Sequence, residues 1–245
     1  MIPKEIKSLQ HPTVKHLVKL RKEKQYRDKK NRLLLEGKKM IFEYGGSIEL
    51  LVTTEEVFIP AHLSPKVHMI VSPEIIEKIA TTKSPEPYLA EVLLPKAETL
   101  AGKKRILALD GIRDPGNLGT LVRTALAFGF EGVFLINSAD IYCSKALRAA
   151  KGATFHLPTA IGTEEQLLDL IKQNGLNAYI ADAQGSLTTT FNSPLILILG
   201  NEAHGPSATL KNSGALVSIP IAHEIDSLNV AVAGGILMHK IQEAL

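Results

Sequence analysis

The chain of 245 residues is 45% hydrophobic and 22% charged, which is ordinary for a folded water-soluble protein. Its single cysteine, Cys143, excludes a disulfide framework and a paired-cysteine zinc site, and we expect no metal. No apolar segment of the kind a secretory signal requires follows Lys4 and Lys7, and the longest strongly apolar run, residues 195–199, is too short to span a bilayer. We therefore expect a cytoplasmic protein without membrane association.

Basic residues are concentrated near the N-terminus. Residues 1–40 hold 13 Lys and Arg against 4 Asp and Glu, whereas the rest of the chain holds 15 against 21. This asymmetry fits a polyanionic partner for the first segment alone. A lysine-rich helix face in water explains the same charge, and charge alone does not decide between the two.

The first hundred residues alternate helical and extended patterns, which predicts a compact α/β unit. One helix begins near Pro12, and a second covers residues 34–42, with a polar, basic segment between them. The apolar side of the first helix consists of Val14, Leu17, Val18 and Leu20. A third helix starts at Pro73 with Ser72 as its N-cap. Strands are predicted at residues 48–53, 66–72 and 88–95.

The second half alternates strand and helix more regularly. Short apolar runs without polar alternation indicate buried parallel strands, at residues 105–110, 132–136, 177–182, 195–199 and 215–220. Helical patterns lie between them, at residues 117–128, 144–150, 164–174 and 227–243. This order predicts a doubly wound α/β domain.

Several nucleotide and catalytic motifs are absent from the sequence. No two glycines are separated by a single residue, so the glycine-rich dinucleotide turn is missing. The sequence also lacks the P-loop pattern and the nucleophile elbow of hydrolases. His223-Glu224 has no second histidine at the spacing of a zinc-binding helix.

Three polar loops each follow a predicted strand of the second half. They read "DGIRDPGNLGTLVR" (110–123), "LGNEAHGPS" (199–207) and "IPIAHEIDSLNVAVAGG" (219–235). Ligands of open α/β sheets bind at the carboxyl ends of strands, where all three loops begin. The sequence therefore predicts one site built from the three loops.

Individual side chains in these loops have structural explanations as well as functional ones. Asn117 could cap the helix that starts there, and Arg123 could form an internal salt bridge. Glu202 could be a turn residue, Ser227 is the expected N-cap of the last helix, and Asn229 could be a local cap partner. Gly234-Gly235 within that helix costs about 1 kcal/mol per glycine relative to alanine, which close approach of another backbone or subunit would explain.

Taken together, the three loops resemble the motifs of the SpoU/TrmH-type RNA ribose 2′-O-methyltransferases of the SPOUT superfamily. The matching stretches are "DPGNLGTLVRTA", "LGNEAHG" and "IPIAHEIDSLNVAVA", and the resemblance covers residues 103–245. Ala203 and Ala231 depart from glycine and serine, which are frequent at these positions of the family. The N-terminal part resembles, through residues 8–40, the ribosomal-protein-like RNA-binding domain often attached to this family.

The resemblance implies a fold, a cofactor and a partner. It implies an RNA-binding α/β domain over residues 1–96, a linker at 97–103, and a parallel-sheet methyltransferase domain with a deep trefoil knot over 104–245. S-adenosylmethionine would bind in the knot, and family members are homodimers whose sites draw on both subunits. The cofactor would be held, largely by backbone groups, at Leu199, Gly200, Ile219 and Leu228.

The resemblance also assigns roles around the reaction. Arg123 is implied as the catalytic arginine, and the residues that hold it, hold the RNA phosphate or shape the site are Asn117, Glu202, Ser227 and Asn229. The implied substrate is structured RNA, 23S ribosomal RNA in preference to tRNA, and a non-catalytic RNA-binding or assembly protein that keeps the fold is the alternative. The basic residues expected to contact phosphates are Arg21, Lys22, Arg27, Lys29, Lys30 and Arg32.

Overall fold

The computed structural model describes residues 4–54, 57–186, 190–201 and 203–245. The chain divides into two compact units, Met1–Lys96 with Tyr142–Leu147, and Ala97–Ile141 with Arg148–Leu245. Within the described ranges, no helix is long and apolar enough to cross a membrane.

The first unit is a five-stranded mixed sheet with helices packed on it. Its strands are β1 (Lys4–Ile6), β2 (Arg32–Glu36), β3 (Ile48–Thr53), β4 (Val67–Val71) and β5 (Tyr88–Leu93). Its helices are α1 (Pro12–Lys22), α2 (Lys24–Lys30), α3 (Lys38–Phe42) and α4 (Pro73–Ile79). The strand order is β1-β4-β3-β5-β2, in which β4 runs parallel to β1 and β3 while β5 is antiparallel to β3 and β2. A core cluster joins α1 and α4 to the sheet.

The predicted helix over residues 34–42 is wrong in its first half. Residues 32–36 form β2, and only Lys38–Phe42 is helical. Leu33, Leu34 and Leu35 are three consecutive residues, and all are buried. The pairing of β2 with β5 and the packing around the strand together bury them. The polar, basic segment that precedes β2 was predicted without secondary structure, but its residues Lys24–Lys30 form helix α2.

The second unit is built on a six-stranded sheet in which every pairing is parallel. Its strands are β6 (Arg105–Asp110), β7 (Gly132–Ile136), β8 (Thr159–Ile161), β9 (Asn177–Ser186), β10 (Leu195–Leu199) and β11 (Ala215–Val217), in the order β11-β9-β10-β6-β7-β8. The helices are α5 (Pro115–Ala127), α7 (Glu164–Asn174), α8 (Ala208–Lys211) and α9 (Val230–Ala244), and α6 (Ser144–Ala150) spans the division between the units. The predicted α/β fold with a parallel sheet is confirmed. The short elements β8 and α8 were missed because three or four residues carry little periodicity.

The segment expected to be a linker, residues 97–103, belongs to the second unit. The side chain of Leu100 is 2% exposed and lies in the core of that unit. The Asn174 side chain donates to the carbonyls of Leu100 and Lys103 at 2.8 and 3.1 Å. These contacts fix a segment that its composition alone suggests would be loose.

The glycine pair in α9 is explained at Gly234 by packing inside the chain. A Cβ at Gly234 would overlap the side chain of Leu121 on α5 and lie 2.7 Å from Leu199 on β10. At Gly235 the nearest atom of this kind is 3.9 Å away, which is an ordinary contact. The first glycine therefore lets α9 approach α5 and the sheet closely, without a second subunit.

Candidate functional site

The three polar loops come together at the carboxyl edge of the parallel sheet. The Asn201 side-chain amide donates to the Gly111 carbonyl at 2.9 Å, and the Ser207 N–H donates to the Asp110 carboxylate at 3.0 Å. These two bonds tie the loop after β10 to the loop after β6. The third loop is tied by the Asn229 amide, which donates to Asn117 Oδ1 at 3.2 Å. The convergence predicted from the sequence is therefore present in the fold.

A cavity of about 440 Å³ lies between the second half of β9 and the loops that follow β10 and β11. Its size falls within the range that holds nucleoside-sized cofactors. The four residues predicted to bind the cofactor all line it, and they are Leu199, Gly200, Ile219 and Leu228. Ser227 is also on the wall. Residues of the second and third motif loops therefore line one space of suitable volume.

The wall of this cavity fits an adenosine cofactor. The two ends of the loop that starts at Gly200 approach each other closely. A Cβ at Gly200 would overlap Pro206 N and the Gly205 carbonyl carbon, so this position requires glycine. The loop consequently folds tightly on itself, and Asn201 and Gly205 form a backbone bridge within it. Apolar side chains that suit a purine ring, among them Val217, Leu228 and Leu237, line the same space.

The helix caps differ from the sequence predictions. Asp114, not Asn117, caps α5, because its carboxylate accepts from the Asn117 N–H at 2.9 Å. Asn229, not Ser227, caps α9, through bonds from the N–H groups of Ala231 and Val232 at 2.9 and 3.4 Å. Both helix starts therefore shift, α5 to Pro115 and α9 to Val230. Asn117 is left with its side chain turned to Asn229.

Arg123 lies outside the cavity wall. It is exposed on α5, and among the residues that the structure describes its guanidinium has no hydrogen bond or ion pair. Within the described part of the chain, Arg123 therefore forms no internal salt bridge. Arg123 is six positions after Asn117, which places the two residues about 120° apart around the helix axis and about 9 Å apart along it. The two residues therefore do not share one helix face.

Glu202, the remaining predicted site residue, lies outside the described residues. Its neighbour Asn201 is described, and its amide oxygen accepts from the Ala203 N–H at 2.9 Å while its amide nitrogen bonds to Gly111. Asn201 thus orders the start of the loop to which Glu202 belongs.

Sequence reasoning missed three charged residues at this edge. Asp182 on β9 and Lys211 at the end of α8 both line the cavity and form an ion pair of 2.8 Å. The hydrogen bond from Lys211 holds the pKa of the Asp182 carboxyl below its usual range, aided by the Gln184 N–H. Burial raises the pKa of Asp110, against the hydrogen bond from Ser207. Asp182 follows the apolar run of a buried strand, so the rule that selected the three loops also applied to it.

The basic face predicted to bind RNA is divided by the structure. Lys22, Lys29 and Lys30 are exposed. Arg27 is 3% exposed, and its guanidinium donates to the carbonyls of Leu20 and Arg21 at 2.9 and 3.3 Å. The expectation that Arg27 contacts phosphate is therefore corrected, because the guanidinium serves the end of α1.

Two further arginines of this face have internal partners. Arg21 donates to the carbonyls that end α4, at 2.8 Å for Ile79 and also to Ala80. Arg32 pairs with Glu49 at 3.2 Å and Glu91 at 3.3 Å. The lysines are consequently the members of the predicted set that remain available to a polyanion.

Known proteins share this architecture over nearly the whole chain. Among solved structures, an AdoMet-bound rRNA methyltransferase from Sinorhizobium meliloti is 28% identical, with a TM-score of 0.87 over 99% of this chain and 98% of that one. An RNA 2′-O ribose methyltransferase is 26% identical, with a TM-score of 0.84 over 98% of each chain. Fold and cavity thus define an α/β methyltransferase joined to a second, smaller α/β unit.

Family models and curated relatives make the assignment specific. The SpoU rRNA Methylase family model matches residues 104–239, and an MRM3-like substrate binding domain matches residues 11–90. The 23S rRNA (guanosine(2553)-2′-O)-methyltransferase RlmP of Bacillus subtilis is 32% identical over 98% of this chain and 99% of its own length. The 23S rRNA (adenosine(1067)-2′-O)-methyltransferase of Streptomyces azureus is 34% identical over 55% of this chain and 53% of its own. The chain belongs to the SpoU rRNA methylase family, and it is an RNA 2′-O-methyltransferase whose cofactor is S-adenosylmethionine.

Proposed function

We propose that this chain methylates the 2′-hydroxyl of one ribose in 23S ribosomal RNA, as a homodimer in the cytoplasm. The observation that carries the proposal is a cavity of about 440 Å³ lined by the second and third motif loops, with the first loop hydrogen-bonded to both of them. The 23S rRNA substrate of the full-length Bacillus subtilis relative supports ribosomal RNA over tRNA. The two relatives named above act on different nucleotides, so the target base is left to experiment.

We propose that residues 1–96 bind the RNA and that residues 104–245 perform the transfer. The substrate-binding family model matches within the first range, and the methylase model matches within the second. The exposed lysines Lys22, Lys29 and Lys30 belong to the first range and suit phosphate contacts. The trefoil knot implied by the family resemblance stays a prediction.

The proposed mechanism assigns the chain positioning and electrostatic work. When bound, S-adenosylmethionine supplies an activated sulfonium methyl. Gly200, Leu228 and Ile219 would hold the cofactor at the cavity wall. A guanidinium stays protonated at physiological pH, so Arg123 would act on the ribose 2′-oxygen and neighbouring phosphate by charge and hydrogen bonding.

We further propose that Arg123 serves the cavity of a second copy of the chain. It is exposed and does not line its own cavity. Leu126 lies one turn further along α5 and is 36% exposed, and Val232 at the start of α9 is 51% exposed. Exposed apolar side chains on two helices that pack together fit a subunit contact beside Arg123.

Subunit complementation tests this arrangement. Arg123→Ala and the cavity variant Gly200→Val are each expected to be inactive as homodimers. A randomly mixed population should recover about a quarter of wild-type sites, because half the dimers are mixed and each has one intact site. If the mixture stays as inactive as its parents while mixed dimers are shown to form, Arg123 does not act across the dimer.

The substrate is tested by mapping 2′-O-methyl marks in ribosomal and transfer RNA from cells with and without this chain. A mark in 23S rRNA that depends on the chain, and that the purified protein restores on the unmodified RNA, is the expected result. A dependent mark in tRNA alone would transfer the proposal to tRNA. Ribosome assembly defects without any dependent mark would favour the non-catalytic assembly role.

A further inference from the structure

The cavity contains an ion pair that the three motifs do not include. Asp182 lies on β9, and Lys211 is the last residue of α8. Both line the cavity that Gly200 and Leu228 also line. The Lys211 ammonium is 2.8 Å from Asp182 Oδ2. The pair therefore sits at the candidate cofactor site, although its two residues are far apart in sequence.

Both oxygens of the Asp182 carboxylate have donors. Oδ2 accepts from Lys211, and Oδ1 accepts from the Gln184 N–H at 2.8 Å. The side chain is 8% exposed, and its pKa is lowered by these same partners, Lys211 first. Asp182 is therefore an ionised group held in one orientation, and its carboxylate fixes where the lysine ammonium lies.

Lys211 has donor capacity left for a ligand. Its side chain is 35% exposed, and an ammonium has three N–H donors, of which the described contacts assign one, to Asp182. The loop after β10 passes directly over the pair at Gly205, where a Cβ would lie 3.7 Å from Lys211 Nζ and 3.8 Å from Asp182 Oδ2. The backbone φ of +69° at Gly205 also favours glycine. No side chain thus stands between that turn and the ion pair.

Charge indicates what the free donors of Lys211 would bind. Among the described residues that line the cavity, Lys211 is the sole lysine or arginine, and Asp182 and Asp226 supply negative charge. S-adenosylmethionine has one anionic group, the carboxylate of its amino-acid end. Hydrogen bonds between ammonium and carboxylate are among the stronger polar contacts in proteins.

We propose that Lys211 binds the carboxylate at the amino-acid end of S-adenosylmethionine, and that Asp182 is a positioning residue that aims the Lys211 ammonium. The inference rests on the proposed function, because it needs this cavity to be the cofactor site. It names the two residues by which the cavity would recognise the amino-acid end of the cofactor.

The test measures binding of two ligands to the full-length protein by calorimetry. The ligands are S-adenosylmethionine and decarboxylated S-adenosylmethionine, which keeps the sulfonium and the amine but lacks the carboxylate. Wild type should bind the first about 10–100-fold more tightly, the range expected for one charge-assisted contact. In Lys211→Met this preference should fall to within about threefold, and Asp182→Asn should give an intermediate preference.

Two variants complete the design. Lys211→Arg keeps the cation and should retain part of the preference. Lys172→Met removes an exposed lysine of α7 and should leave both affinities unchanged. Thermal unfolding of each variant identifies any that fails to fold, and the wild-type comparison of the two ligands needs no variant.

The outcomes separate this inference from the proposed function. Equal weakening of both ligands in Lys211→Met, or no preference in wild type, would show that the pair only shapes the cavity and would overturn the inference. Wild type that binds S-adenosylmethionine without the preference still satisfies the proposed function. Wild type that binds neither ligand would overturn both.

Discussion

At the scale of single residues, two arginines that the sequence does not distinguish differ in burial. Arg27 is enclosed and donates to backbone carbonyls at the end of α1, whereas Arg123 is exposed and has no polar partner among the described residues. A guanidinium with its donors satisfied stabilises the fold, while one in water is available to a ligand. The first therefore stabilises the fold, and the second is available for the role proposed for it.

Replacing Arg27 should damage stability. Arg27→Ala leaves the Leu20 and Arg21 carbonyls without their donor and should lower the free energy of unfolding by about 2–4 kcal/mol. Lys29→Ala, an exposed lysine of the same helix, should change it by less than about 0.5 kcal/mol. Urea denaturation measures both, and similar losses in the two variants would contradict the structural role of Arg27.

Replacing Arg123 should damage turnover and spare the cofactor. Arg123→Lys keeps the charge but loses the planar fork, so kcat should fall by about two to four orders of magnitude. The Kd for S-adenosylmethionine should stay within about threefold, because the proposed partners of Arg123 are the ribose and phosphate of the RNA and not the cofactor. Near-normal turnover on the cognate RNA would remove Arg123 from the mechanism.

At the scale of elements, β2 is anchored by a carboxylate at its end. Glu36 accepts hydrogen bonds from the N–H and hydroxyl groups of Thr81 and Thr82, in the segment that follows α4, at 2.7 to 3.2 Å. Burial raises the pKa of Glu36, but the four hydrogen bonds outweigh it and hold the pKa below the usual value. The anchor joins two elements that are distant in sequence.

The lowered pKa of Glu36 predicts how its contribution to stability changes with pH. A carboxyl whose pKa is lower in the folded state stabilises the fold above its unfolded pKa, and this contribution is lost as the pH falls through the folded pKa. Glu36→Gln should therefore lower Tm by about 2–6 °C at pH 7, with the difference from wild type shrinking below about pH 4. Calorimetry at both pH values checks this, and a difference that does not change with pH would assign the effect to packing.

At the scale of the whole molecule, the basic charge and the cavity lie in different parts of the chain. The excess of basic residues lies in residues 1–40, and the structure leaves Lys22, Lys29 and Lys30 exposed there. The acidic excess lies in the remainder, which holds the cavity. RNA affinity should therefore be salt-dependent mainly through the first unit.

The salt dependence of RNA binding tests that division. Changing Lys22, Lys29 and Lys30 together to Gln should make the slope of log K against log salt shallower by about 2–3, since each phosphate contact contributes about 0.7–0.9. Filter binding across a salt series measures the slope, with Lys172→Gln as a matched exposed lysine in the second unit. An unchanged slope would show that RNA lies elsewhere.

Much of the second unit could be predicted from the sequence, because its signals are local. The apolar runs that became β6, β7 and β10 have the bounds that the pattern predicted, as do α6 and α7. The predicted helix over residues 34–42 failed because a Leu-rich run fits a helix or a strand, and only pairing with β5 decided for β2. The predicted position of Ser72 as the N-cap of α4 is confirmed, whereas the caps predicted for α5 and α9 are wrong because a neighbouring polar residue takes that place.

The sequence by itself determined the class of fold and the three motif loops, since these depend on short-range patterns and on the order of strands, and the family resemblance supplied four residues of the cavity wall. The tertiary structure decided which basic side chains face water, where Arg123 lies relative to the cavity, and that Asp182 meets Lys211. The physical reason is that pairing and burial join residues far apart in the chain, and no local pattern records their distance.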